Sequence, residues 1–481
     1  MKNEMKPVPF KELLEECIRE YRENKSLFSV PVADNIFDTP MGPAAGPHTQ
    51  MAQNIIAAYA AGATVFELKT VQILEGEELG IVKPCIFVGS EVYNTEWSTE
   101  LTVREAAAEY IKAAVLIQAL AKEFGLRTFE KVQFIMSVGY NLEGISSPKV
   151  DEFMESMKNA SHTEEWKKDI ACLMDYMDNF EKLLPADIEA FSPVICDTVT
   201  LSTMHGCPAG DIAAIGKHLL SKKKLNTYIK MNPTLLGKDE ITRILASKGY
   251  DVILPEEMFA QDINPDEAAG IIMECRKTAE AEGLFFGIKL TNTLPVKIQN
   301  AELSGNQMYM SGPSLYALSI NVARLLTERF NGELSISYSG GIDDKNIKNV
   351  LETGIAPVTV SSCLLKLGGY KNLSKLIVDV SVPETVNKKK LETLAEQAIG
   401  DMHYDKRVMR TYKKQENYDS LCSVCHNCED ICPNRANRRM KIDDKFVVLH
   451  NSKLCNECGA CAYSCVMGHV PYLEKANRLE C

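Results

Sequence analysis

The stretch LSISYSGGIDDKNIKNVLETGIAPVTVSSC, residues 334–363, holds two short apolar runs that each end in small polar residues. LSISYSG (334–340) and PVTVSSC (357–363) have the β-branched content and turn boundaries of strands. The same unit recurs upstream, in IFDTPMG (36–42), VFELKTV (65–71), VQFIMSV (132–138), DTVTLST (197–203), TYIKMNP (227–233) and FGIKLTNT (286–293). Between the runs lie amphipathic stretches such as DEAAGIIMECRKTAEAEG and SLYALSINVARLLTERF, with helical spacing. Strand–helix alternation implies a parallel sheet, and eight such units predict an α/β fold, a (β/α)8 TIM barrel, over 36–380.

Insertions are expected at about 80–130, carrying extra helix, and at about 245–265, where YDVILPEE (250–257) reads as an inserted hairpin. Residues 1–35 read as an N-terminal helical extension, 381–415 as a linker, and 416–481 as a small α+β cysteine-rich domain.

Polar residues gather at the C-terminal ends of the strands, where barrels build active sites. Gly340-Gly341 after the seventh strand and Ser361-Ser362 after the eighth fit a phosphate site, because small residues let backbone N–H groups approach an anion closely.

The C-terminal region is read from its cysteines. Cys422, Cys425, Cys428 and Cys432 form a C-x2-C-x2-C-x3-C-P run, and Cys455, Cys458, Cys461 and Cys465 repeat the spacing with Val466 in place of the proline. Structural zinc sites usually pair two C-x2-C knuckles. Two four-cysteine runs of this form are instead the two-cluster bacterial ferredoxin pattern, in which the fourth cysteine of each run ligates the other cluster. Cys422, Cys425, Cys428 and Cys465 are therefore expected on one 4Fe-4S cluster, and Cys455, Cys458, Cys461 and Cys432 on the second. His426 and His469 read as loop residues.

A phosphate site and two one-electron clusters together point to flavin mononucleotide (FMN), which exchanges electrons singly or in pairs. Lysines at the barrel mouth suit the anionic reduced ring. No G-x-G-x-x-G is present; GDIAAIGKH (210–218) has the wrong glycine spacing, so no nicotinamide site is read.

A net charge of -12 argues against nucleic acid as partner. The N-terminus lacks an apolar signal core, and no run approaches the ~20 apolar residues of a membrane span. A soluble, cytoplasmic and oligomeric protein is expected.

TPMGPAAGP (39–47), ELKT (67–70), FIMSVGYN (134–141), IKMNP (229–233), LTNT (290–293), YMSGPSLYALSINVARLL (309–326) and SGGI (339–342), taken as an ordered set, resemble the dihydroorotate and dihydropyrimidine dehydrogenase barrels over about 36–370. The ferredoxin tail also resembles dihydropyrimidine dehydrogenase. GPAAGPHTQMAQN, ELKTVQIL, NTEWSTE, MSVGYNLEGI, TLSTMHGCP and NPTLLG are similar, more narrowly, to the selenate reductase flavoprotein subunit family associated with anaerobic purine breakdown.

The resemblance implies cofactor contacts at Ala44, Ala45, Gly46, Lys69, Thr70, Asn141, Gly312, Gly340, Gly341, Ser361 and Ser362. It leaves Lys230 and Lys289 as rivals for the flavin ring. Substrate contacts are implied at Asn141, Ser202, Asn292 and Thr293.

The fourth strand departs from the family. Its proton-donor position reads Thr203, with His205 and Cys207 just beyond on a loop opening a helix. Cys207 ranks first, because a helix N-terminus lowers a thiol pKa, then Thr203 and His205; the reading that Cys207 only packs, as free cysteines commonly do, stands beside all three.

The function implied is reduction, or reversible oxidation, of a C=C or C=N bond in a planar nitrogen heterocycle, a purine or cyclic ureide. Electrons would arrive through the clusters from a separate FAD and NAD(P)H subunit or a ferredoxin. The alternative is an electron-transfer subunit serving a molybdenum enzyme or a selenate reductase.

Overall fold

The computed structural model describes residues 5–34, 37–96, 98–203, 205–409, 422–423, 425–442 and 445–474. All eight expected strands form. They are β1 (Met41–Pro43), β2 (Val65–Glu67), β3 (Gln133–Gly139), β4 (Thr198–Ser202), β5 (Asn226–Met231), β6 (Phe286–Leu290), β7 (Ile336–Tyr338) and β8 (Val358–Val360). Nearly every residue in them is buried, as in a parallel sheet covered on both faces.

The sheet runs β1-β8-β7-β6-β5-β4-β3-β2, with every pairing parallel. Thr64 N donates to Met41 O at 2.9 Å across the remaining gap between β1 and β2, so the barrel is nearly closed. In the β5–β6–β7 register Lys230, Lys289 and Ser337 lie side by side at one level.

Local chemistry sets the helix ends. In Val103–Phe124 the Thr102 side chain accepts from Glu105 N, and the Glu105 carboxylate accepts from Thr102 N. This reciprocal cap satisfies two otherwise orphaned donors, each worth about 1 kcal/mol. Gly125, at φ +68°, closes the helix in the left-handed region.

The two insertions differ from expectation. Besides its helix, the first contributes Ile86–Val88 and Val92–Asn94. These join Gln307–Ser311 and Leu294–Lys297 in a four-stranded antiparallel sheet at the barrel mouth. Strands this short, drawn from distant segments, leave no period to read. The second insertion is not a hairpin. Residues 250–255 form no strand; Ile253 O accepts from Lys297 N at 2.9 Å, and the chain turns into a helix, Glu256–Gln261. Pro255 stands immediately before that helix and has no N–H to give a ladder.

The cysteine-rich region holds short helices Asn427–Asp430 and Ala460–Ser464 and a hairpin, Asn437–Ile442 with Lys445–His450. It docks on the barrel by hydrogen bonds. Cys85 N and Ile86 N both donate to Cys458 O, at 3.1 and 2.9 Å, and Tyr370 OH donates to Pro433 O at 2.7 Å. Among the described residues no helix is long and apolar enough to cross a membrane.

Candidate active site

A cavity of about 650 Å³ opens at the C-terminal ends of the strands. Its wall gathers Ala44, Ala45 and Gly46 after β1, Lys69 and Thr70 after β2, and Ser202, Thr203 and His205 at and beyond the end of β4. Lys230 of β5, Asn292 and Thr293 after β6, and Gly312 complete it, with Gly340 and Gly341 after β7 and Ser361 and Ser362 after β8. Residues far apart in the chain thus meet because parallel strands end at one rim.

One part of the wall is a backbone cradle. Gly341 sits at φ +65°, and a Cβ there would lie 2.6 Å from Gly312 O. Gly312, at φ +79°, would place a Cβ 3.1 Å from the Ser362 Cβ. Three loops therefore approach more closely than side chains permit, which leaves room for an anion's oxygens among their N–H groups.

A second part carries charge. Lys69 forms a buried ion pair with Glu96, and both line the cavity. Thr70 Oγ1 shares a 2.8 Å hydrogen bond with Ser137 Oγ. Gln72 donates to Ser98 Oγ at 3.1 Å, while its Oε1 is buried on the wall with no hydrogen-bond partner among the described residues. An unpaired acceptor of this kind fits a ring N–H of a flavin.

Beneath the wall Lys289 points into the barrel. Its Nζ donates to Thr359 Oγ1 at 2.7 Å and Ser337 Oγ at 3.0 Å, and lies 3.3 Å from Glu67 Oε2. Burial drives the Lys289 amine down to about 8 against the pull of Glu67. Burial works against the Glu67 carboxylate too, but Lys289, Lys230 and the Ala45 N–H outweigh it and hold Glu67 at about 2. Of the two rival lysines, Lys230 lines the cavity; Lys289, expected as a cofactor contact, is a core ion-pair partner. The two share a register level, and Glu67 captures one of them.

A separate polar cluster is built on Asp262. His205 Nδ1 lies 2.6 Å from Asp262 Oδ2 and His205 Nε2 lies 3.2 Å from Thr293 O. Asp262 also accepts from Gly206 N at 2.6 Å, Thr234 Oγ1 at 2.6 Å and Asn232 Nδ2 at 3.1 Å. Burial would raise this carboxyl; the His205 and Thr234 bonds and the Gly206 N–H hold it below its usual range. Asn292 donates to Asn232 Oδ1 at 2.7 Å, which fixes its amide at the cavity edge. Both imidazole nitrogens face oxygen atoms of the protein.

Two other expected residues are not on the wall. The Asn141 side chain is exposed and caps the helix Leu142–Ile145, accepting from Gly144 N at 2.8 Å; Tyr140 takes the wall position. Cys207 packs against the core, where burial first and the Asp211 carboxylate second push its thiol up to about 11. The thiol is raised rather than lowered, and of the three expected proton donors Thr203 and His205 line the cavity, while Cys207 is not among its described lining residues.

The cluster cysteines divide by burial. Cys422 and Cys425 are exposed, Cys465 is half-buried, and Cys428, Cys432, Cys455, Cys458 and Cys461 are buried. Cys432 packs with Cys455, Ala436 and Leu454. Their sulfurs accept backbone N–H bonds, Cys432 Sγ from Ala436 at 3.2 Å and Cys455 Sγ from Glu457 at 3.3 Å. Buried thiols that crowd one another and receive amide N–H groups fit the donor set of an iron–sulfur cluster.

Glu67, Gln72, Glu96, Asn232 and Asp262 were not singled out from sequence. Glu67 had a signal, since it alternates with Lys69 along one strand and so shares its face. Asp262 had none; only the fold brings it to His205.

Residues 16–406 match the family model described as "Oxidoreductase YgfK, N-terminal TIM-barrel domain". The chain is 39% identical over 456 residues to the Escherichia coli K12 protein named "Putative oxidoreductase YgfK", which covers 87% of this chain and 43% of that protein. The Escherichia coli O157:H7 protein of the same name matches equally. The chain thus spans less than half the length of these curated relatives. Among solved structures, the DHODH of Eimeria tenella in complex with ferulenol gives a TM-score of 0.43 at 15% identity, covering 84% of this chain and 96% of that one.

Proposed function

From a chain that belongs to the oxidoreductase YgfK N-terminal TIM-barrel family, we propose an FMN-dependent oxidoreductase. It reduces, or reversibly oxidises, a C=C or C=N bond of a planar nitrogen heterocycle such as a purine or cyclic ureide. The observation that carries this reading is the set of groups that one cavity brings together. It joins a glycine cradle, Lys69, Lys230 and the Gln72 acceptor, unpaired among the described residues, to Asn292, Thr203 and His205 with its partner Asp262.

FMN, when bound, supplies hydride chemistry and accepts electrons one at a time. The chain's residues do the rest. Gly312, Gly340, Gly341, Ser361 and Ser362 would receive the phosphate, and Ala44, Ala45, Gly46, Lys69, Thr70, Gln72 and Lys230 would hold the ring. Asn292 offers an amide to the imide or urea edge of the substrate, with Ser202 and Thr293 beside it. Thr203 and His205 are the groups at the cavity that would pass the proton, His205 through the Nε2 that the longer contact to Thr293 O holds, with Asp262 fixing its ring at Nδ1.

Electrons would enter at the cluster of Cys422, Cys425, Cys428 and Cys465, where two ligands are exposed, and leave through that of Cys432, Cys455, Cys458 and Cys461. The support is contact: Cys458 O is bonded to Ile86 N, and Ile86 lines the cavity. A separate FAD and NAD(P)H subunit or a ferredoxin would feed this inlet.

The test is anaerobic. Reduced protein is mixed with uracil, xanthine and urate, and flavin reoxidation is followed optically. Reoxidation by one of them supports the reading. Reoxidation by none, with turnover regained only in a multi-subunit complex, makes the chain an electron-transfer subunit instead.

A further inference from the structure

We propose that Lys366 is the phosphate-binding cation of the cavity, an ammonium that neutralises the terminal phosphate of bound FMN. This rests on the FMN reading above. Lys366 follows the helical turn Ser362–Leu365 beyond β8 and lines the cavity together with Gly312, Gly341, Ser361 and Ser362. Among the described residues no arginine lines that cavity. A cradle of backbone N–H groups supplies partial charges, whereas a phosphate ester carries close to two full negative charges at neutral pH. A full positive charge beside the cradle is therefore the missing component.

The other cavity lysines are engaged elsewhere. Lys69 is paired with Glu96, and Lys230 lies in the field of the buried Glu67. Lys366 differs: among the described residues its ammonium has no hydrogen-bond or ion-pair partner. The acid whose charge reaches it is Asp343, which is already held by Lys345 N at 2.9 Å, Tyr404 OH at 3.0 Å and His403 Nε2 at 3.0 Å. Burial, ahead of the opposing pull of Cys363 and Asp343, keeps the Lys366 amine below the usual lysine range. A half-buried ammonium with no partner is unfavourable until an anion arrives, which is how an empty anion site is organised.

Riboflavin shares the ring and side chain of FMN but lacks the phosphate, so it isolates this charge. Dissociation constants for both are measured by fluorescence on the full chain after removal of flavin, for wild type, Lys366→Met and Lys366→Arg. Wild type is expected to prefer FMN. Lys366→Met should weaken FMN about 10- to 100-fold, the scale of one charge-assisted contact, and leave riboflavin within about twofold. Lys366→Arg should restore most of the preference. Retained riboflavin binding also shows that the variant is folded. A Lys366→Met chain with an unchanged FMN-to-riboflavin ratio overturns the Lys366 assignment. A wild type that binds neither, or both equally, overturns the FMN reading.

Discussion

Lys289→Met tests the ion pair beneath the cavity. Glu67 and Lys289 are each about 1% exposed, so the substitution leaves a carboxylate deep in the barrel. Its remaining hydrogen-bond donors are weak: Thr359 Oγ1 at 3.2 Å and Ala45 N at 3.4 Å. The interval from 4.5 to about 2 in the Glu67 carboxyl, at about 1.4 kcal/mol per pH unit, corresponds to about 3 kcal/mol. Breaking a buried pair by removing one partner costs about 3–5 kcal/mol.

Lys289 pulls the other way. Its amine falls from 10.5 to about 8 because burial disfavours the charge, so holding it protonated at pH 7 costs a similar amount. The single variant should therefore lose about 3–5 kcal/mol, while Glu67→Gln with Lys289→Met should return to within about 1–2 kcal/mol of wild type. The assay is the urea midpoint of the barrel transition by far-UV circular dichroism.

The acid limb supplies the sign. The folded Glu67 value lies below the unfolded one, so its stabilisation is present above about pH 4.5 and is lost as pH falls towards about 2. That loss should shrink in Lys289→Met. A single variant within about 1 kcal/mol of wild type, or a double variant no better than the single, would refute the reasoning.

Three other sets of substitutions give separate readouts. His205→Asn should cut reoxidation of the reduced protein by an active heterocycle by about 10²–10⁴-fold, the usual worth of a positioned acid or base, while Cys207→Ser should stay near wild type; stopped-flow traces showing the reverse return the role to the thiol. Gly341→Ala forces a Cβ to within 2.6 Å of Gly312 O at φ +65°, so thermal melting should fall by the equivalent of about 1–3 kcal/mol and bound flavin should be lost; unchanged flavin content contradicts the cradle. Cys432→Ser and Cys455→Ser should remove the same cluster, halving iron from about eight to about four per chain with matching electron paramagnetic resonance spectra, while Cys428→Ser removes the other; spectra pairing Cys432 with Cys428 would reverse the crossed ligation.

Much of the architecture was readable because it depends on short-range pattern. β-Branched runs such as VQFIMSV, closed by small polar residues, specify a buried parallel strand whatever surrounds them. Strand ends then located most of the wall, from Lys69-Thr70 to Ser361-Ser362, since the C-terminal rim is one place in space. The mouth sheet escaped notice because Ile86–Val88 and Val92–Asn94 acquire their partners from residues 294–311.

The same contrast holds within the site. The resemblance left Lys230 and Lys289 as rivals, and the register sets them side by side at one barrel level, so neither motif nor level separates them. Folding separates them through Glu67, more than two hundred residues away from Lys289, whose charge in a dry interior requires a counter-ion. Asp262 likewise lies 57 residues beyond His205 and becomes its partner only when the helix Glu256–Gln261 closes over the rim. Cys207 sits where a reactive thiol would be expected from sequence, and burial beside Asp211 removes that advantage. Patterning along the chain established the barrel and the cysteine runs; which polar groups face the cavity and which are consumed in pairs beneath it depended on desolvation and pairing across the closed sheet.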